Sequence, residues 1–88
     1  MMNDNAAAAS AITVRYFGPL LDITGTHAEP LRLTLPDNVA GIDRQIRMHH
    51  PGLESHQYRV AVDDTLRAPA DEVSAAREIA LLPPFSGG

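Results

Sequence analysis

The sequence predicts an α+β fold, a sheet of four to five strands packed on one main helix. Three observations predict it. Residues 12–17 and 31–35 alternate apolar and polar side chains with the period of two that a half-buried strand requires. Residues 36–52 carry apolar side chains at helical spacing instead. Two further short strand-like segments follow, at 58–62 and 78–82. The order is β β α β β, and 88 residues accommodate it as one domain.

In the first segment Ile12, Val14 and Tyr16 share one face, and Thr13, Arg15 and Phe17 share the other. Gly18-Pro19 breaks the strand, and Leu20–Thr24 fits a short helical turn stopped at Gly25. Leu31, Leu33 and Leu35 form the inward face of the second strand, and the short linker predicts an antiparallel hairpin with the first. Asp37 or Asn38 can cap the main helix by accepting from its free first-turn amides. Val39, Ile42, Ile46 and His49 make its apolar stripe, with Arg44 and Arg47 off that stripe. Pro51 disfavours helical geometry at His50, and Gly52 is a natural stop. Tyr58, Val60 and Val62 share a face of the next strand, and Leu66-Arg67 fits a short edge strand. In the last strand Ile79 and Leu81 point inward, so Ala80 and Leu82 point away. Phe17 and Leu82 are then both apolar and outward, and they form a partner surface if the first and last strands are neighbours. The expected organisation is a disordered extension over residues 1–10, a domain over 11–83 and a functional tail over 84–88.

The totals exclude several function classes. A domain of this size buries only about 60–65% of its unfolded surface, so its core is thin and a self-contained enzyme is not expected. Cysteine is absent, which removes disulfides, thiolate metal sites and cysteine nucleophiles, and fits a cytoplasmic protein. A net charge of −4 without a basic run argues against nucleic-acid binding. No apolar run approaches the roughly 20 residues of a membrane span, and residues 1–10 lack the basic start of a signal peptide. His27, His49, His50 and His56 show no i, i+4 pair, so no metal site is expected; a helix C-terminus explains His49 and His50 through its dipole. Asp63-Asp64 and Asp71-Glu72 read as solvated turns.

The chain ends Pro83-Pro84-Phe85-Ser86-Gly87-Gly88. The prolines end the strand, because they cannot donate to a sheet, and they stiffen the exit. Four residues beyond them reach about 13 Å when extended. Gly87 and Gly88 have no side chains, so such an end can thread a narrow channel, and the Gly88 carboxylate is the least hindered acyl group of the sequence. Ser86 has no visible triad and reads as a small residue suited to that channel.

This ending, Leu81-Leu82-Pro83-Pro84-Phe85-Ser86-Gly87-Gly88, resembles that of the small, sulfur-carrying subunit of molybdopterin synthase, in the MoaD/ThiS family. The stretch from Val14 to Gly25 is similar to that family's first strand, short helix and glycine, and the likeness in element order extends over residues 12–88. The sequence departs from the family pattern at Leu21-Asp22, where an Arg-Glu pair is usual, at Asp63, where Asn is common, and over residues 74–78, where an acidic turn is frequent. The resemblance implies a ubiquitin-like β-grasp with a mixed sheet. It implies that an E1-like adenylyltransferase/sulfurtransferase uses ATP and Mg²⁺ to adenylate Gly88, after which sulfur replaces AMP and leaves a C-terminal thiocarboxylate. The tail, with Gly87 and Ser86 giving it passage, would then enter the large subunit of molybdopterin synthase in a heterotetramer and pass sulfur to cyclic pyranopterin monophosphate. The chain would be a non-catalytic sulfur-donor subunit with no tightly bound cofactor. Its partner interface would comprise Phe17, Leu66, Leu82, Pro83, Pro84 and Phe85. Three alternatives stay open: a carrier for thiamine thiazole synthesis, a ubiquitin-like protein modifier, and an inert β-grasp interaction module. All seven basic residues are Arg; a GC-rich genome explains this, and so would protection from acyl capture by the chain's own amines.

Overall fold

A computed structural model describes residues 8–84. Strand β1, Ala8–Tyr16, leads through Gly18-Pro19 into a one-turn helix α1, Leu20–Thr24, and then into β2, Ala28–Leu35. The two strands pair antiparallel from Ala8↔Leu35 to Arg15↔Ala28. Both strands are longer than alternation alone predicts. Ala8, Ala9 and Ser10, expected in a disordered extension, belong to β1 because β2 offers them a ladder. β2 starts three residues before Leu31 and runs through Pro30, which an edge strand tolerates.

After a two-residue strand β3, Asp37–Asn38, the main helix α2 spans Val39–His49. Asn38 is its N-cap: the chain is extended there and the side chain accepts from the Gly41 amide at 2.8 Å. Val39, Ile42 and Ile46 are buried as the stripe predicts. His49 is exposed, contrary to the expected stripe, because the helix ends there and the chain turns back. The apolar position at that end is taken by Leu53, fully buried on a 3-10 turn over Pro51–Ser55. Strand β4, Arg59–Val62, turns at Asp63-Asp64 into β5, Thr65–Arg67; β6, Glu72–Val73, pairs with β3; and β7, Glu78–Leu82, closes the domain.

The main sheet has the order β2-β1-β7-β4-β5, with β7 parallel to β1 and antiparallel to β4. This mixed sheet packed on one helix is a ubiquitin-like β-grasp, as expected. Ile12, Val14, Tyr16, Leu31, Leu33, Leu35, Val60, Val62, Ile79 and Leu81 face α2 and form one core with it. Ile79 sits at the centre of that core, cross-strand from Val14 and Val62 and 0% exposed. Ile79→Ala is expected to cost about 2–5 kcal/mol, because the transfer and cavity terms add. Urea unfolding checks this.

The turn Asp63-Asp64 places both residues at positive φ, 47° and 71°. Asp and Asn tolerate that region better than other residues with side chains. The Asp63 carboxylate also accepts the Arg77 and Glu78 amides, both at 2.9 Å, and those two bonds hold it below the ordinary carboxylate range. What reads from sequence as a solvated turn therefore also anchors the start of β7.

Candidate functional site

The face of the sheet turned away from α2 is built by the residues that alternation sends outward. Register places Arg59 opposite Leu82, Ala61 opposite both Ala80 and Leu66, and Arg15 beside Ala80. Residues opposite one another point to the same side of a sheet. The two small alanines leave the middle of this face shallow. Phe17 follows the end of β1, next to the end of β7, and the Arg15 guanidinium sits 5.5 Å from its ring centroid.

Phe17, Pro19, Arg59, Leu66, Leu82, Pro83 and Pro84 line one groove of about 550 Å³. Phe17 is 37% exposed and Leu66 47%; among the described residues Leu21 and Met48 are the other large apolar side chains turned to water. The groove lies where Pro83-Pro84 leaves the sheet. Phe17, Leu66, Leu82, Pro83 and Pro84, expected interface residues from three separate parts of the sequence, are thus brought together. Phe85, Ser86, Gly87 and Gly88 lie outside the described residues.

Sequence reasoning missed three residues of this site. Pro19 and Arg59 contribute walls, and no periodicity marks them. Gly18, read only as a strand breaker, has φ +59°, and a Cβ added to it would lie 2.9 Å from the Pro83 Cγ. The tail's first proline packs onto a bare glycine backbone, so Gly18 helps set the direction in which the chain leaves the sheet.

Two titratable clusters lie away from the groove. Glu29 accepts from the Tyr16 hydroxyl at 2.6 Å and pairs with His50 Nε2, and the Tyr16 and His50 rings meet edge-on at 5.6 Å. Burial, and then the bond to Glu29, push the Tyr16 phenol far above its ordinary value. Burial works against the charged Glu29, yet its bonds from Tyr16 and His50 outweigh that and hold its carboxyl below the usual range. In the second cluster the Tyr58 hydroxyl donates to Asp43 and receives from Arg47 Nε at 2.8 Å; burial and Asp43 push it up to about 12. Both clusters tie α2 to the rest of the domain.

The Glu29 geometry fixes a pH dependence. A carboxyl whose folded pKa is depressed binds protons more weakly in the native state than in the unfolded state. Its stabilisation is complete above the unfolded value near about 4.3, and is lost as pH falls through the lower folded value. Glu29→Gln is expected to lower stability by about 1 kcal/mol or less at pH 7, since the pair is partly solvated. It should also flatten the acid limb of the stability profile. Unfolding curves between pH 7 and pH 2 check this.

Among the described residues no helix is long and apolar enough to cross a membrane. A comparison with curated proteins finds no match. Solved structures match well in fold. SAMP1 from Haloferax volcanii superposes with a TM-score of 0.74 at 22% identity, covering 90% of this chain and 100% of that one. The molybdopterin converting factor, subunit 1, from Pyrococcus furiosus gives 0.74 at 16% identity, covering 85% and 98%. A complex of subunits 1 and 2 of the molybdopterin-converting factor from Helicobacter pylori gives 0.53 at 26% identity, covering 90% and 100%. A model of the ThiS family matches residues 14–88, from the second half of β1 to the final glycine. The chain therefore belongs to the ThiS family, as its resemblance to the MoaD/ThiS group predicts.

Proposed function

We propose that this chain is the sulfur-carrying small subunit of a molybdopterin synthase, working in the cytoplasm through a thiocarboxylate at Gly88. The observation that carries this reading is the apolar groove of Phe17, Leu66 and Leu82 at the foot of Pro83-Pro84. A partner gripping that groove is placed to receive the residues that follow the diproline. The complex of subunits 1 and 2 of the Helicobacter pylori factor supports a large subunit as one such partner.

The chemistry follows from the acyl group. A carboxylate is a poor electrophile, so an E1-like enzyme with ATP and Mg²⁺ first converts Gly88 to an acyl-adenylate with release of pyrophosphate. The terminal sulfur of a persulfide donor then attacks the carbonyl and AMP leaves; a second thiol attacks the donor's sulfur in the resulting acyl disulfide, forming a disulfide with the donor and releasing the thiocarboxylate. In the large subunit this sulfur attacks cyclic pyranopterin monophosphate, and two rounds build a dithiolene. The acids, bases and cations of that step belong to the large subunit. Gly88 is a co-substrate, Gly87 and Ser86 give it passage, and Phe85 adds to the apolar interface.

The test is reconstitution. Thiocarboxylated chain, large subunit and cyclic pyranopterin monophosphate should together yield molybdopterin. Thiazole formation with thiazole synthase and no molybdopterin would move the chain to the thiamine branch. The superposition on SAMP1 favours a second reading, a protein modifier. That reading predicts isopeptide-linked ladders that survive denaturing gels.

A further inference from the structure

Four of the seven arginines, from three elements, border one cleft beside the start of α2. Arg44 and Arg47 come from α2, Arg59 from the start of β4 and Arg67 from β5, around a depression of about 530 Å³. The chain as a whole carries a net charge of −4, so this is a local reversal of its field. Two of the four are already neutralised. Arg47 pairs with Asp43 at 3.1 Å, and Arg67 with Asp71 at 3.6 Å and the Glu72 carbonyl at 3.0 Å. Among the described residues no carboxylate lies within 4.0 Å of Arg44 or Arg59. Val39, Val60 and Pro69 give the cleft an apolar floor.

The helix start offers an anion no free amide. Phosphates favour helix N-termini with free amides, and α2 begins at this cleft. Its first-turn amides are taken: Val39 donates to Asp71 at 3.0 Å, Ala40 to Pro69 at 2.9 Å and Gly41 to Asn38 Oδ1 at 2.8 Å. Recognition is left to guanidinium forks, which take carboxylates and phosphates alike in bidentate pairs, and it is the neighbouring apolar groove that points to a carboxylate carried by a protein. Arg59 also borders the apolar groove at the tail root, so the two surfaces meet at the start of β4.

We propose that this arginine cleft is a second docking site, taking a carboxylate-rich segment of the same protein partner whose apolar surface grips the tail-root groove. The proposal rests on the carrier reading for the identity of the partner, not for the chemistry of the cleft. The charges steer and orient association, and the groove supplies the apolar contact.

Two measurements test it. In the first, hexaglutamate and inorganic pyrophosphate are titrated separately into the ¹⁵N-labelled chain, and the arginine Nε–Hε signals are followed. Hexaglutamate should shift Arg44 and Arg59 saturably, and Arg44→Ala/Arg59→Ala should abolish the response. No saturable shift, or saturation by pyrophosphate at lower concentration, overturns the proposal. In the second, association rates with the activating enzyme and with the large subunit are measured by stopped flow against salt. Arg44→Glu/Arg59→Glu should slow association with at least one of them at least tenfold and flatten its salt dependence. Arg32→Glu/Arg77→Glu, with the same change in net charge, should not. Equal rates for the cleft variant with both partners overturn the proposal while leaving the carrier reading intact. Failure of the wild-type chain to accept sulfur overturns the carrier reading, and the hexaglutamate titration still decides the cleft.

Discussion

Deleting Gly88 is expected to abolish sulfur acceptance while leaving the folded domain unchanged. The truncated chain still ends in an unhindered glycine carboxylate, Gly87, so the intrinsic chemistry of the acyl group is the same. What changes is position: the reacting carbon is drawn back by one residue, about 3.5 Å along an extended chain. Misplacement of a reacting group by 1 Å can cost about a hundredfold in rate, so the loss should exceed that. Stability should stay within about 0.5 kcal/mol of wild type, because no core residue is touched. Adenylate formation followed by pyrophosphate release, alongside urea unfolding, checks both halves. Wild-type turnover by the truncated chain would show that reach beyond the diproline is immaterial.

The second large effect is expected at Gly18. Gly18→Ala places an L-residue at φ +59°, which costs about 1–2 kcal/mol by itself. The new methyl also meets Pro83, whose ring is rigid and cannot rotate aside. A total loss of about 2–3 kcal/mol follows once overpacking is added. That corresponds to a fall in Tm of roughly 10 °C or more for a domain of this size. Because the displaced group is the first residue of the exit, sulfur acceptance should fall too, beyond what the loss of folded protein explains. A double-mutant cycle with Pro83→Ala separates the two causes. Removing the ring should restore the part due to the contact and leave the part due to backbone strain. Additive costs in that cycle would mean that Gly18 and Pro83 do not act on each other.

Much of this was legible in the sequence, and the limits have physical causes. The parity of β1 and β7 places Phe17 and Leu82 outward as surely as it places Val14 and Leu81 inward. Parity cannot say which strands are neighbours; the pairing of β1 with β7 brings Phe17 beside Leu82, and the pairings of β7 with β4 and β4 with β5 add Leu66 to that surface. Alternation marks the second strand only from Leu31, yet β2 starts at Ala28 and runs through Pro30, because an edge strand has a side free of ladder bonds. The two-residue strands β3 and β6 are too short for any period to show, and exist because the segment before β6 closes over the start of α2. His49 fits the helical stripe by spacing, but the stripe loses its meaning where Pro51 turns the chain and Leu53 fills the space. Gly18 gives no signal beyond its identity, since a glycine required by a neighbour 65 positions later looks like any other turn glycine. The arginine cleft is invisible for the same reason: its four side chains come from three elements.

The most direct test of the account is the intact mass of the wild-type chain after incubation with its activating enzyme, ATP, Mg²⁺ and a sulfur donor. Replacement of one oxygen by sulfur should add about 16 Da, mapped by fragmentation to Gly88. A chain that keeps its original mass under conditions in which the enzyme activates a known carrier would contradict it.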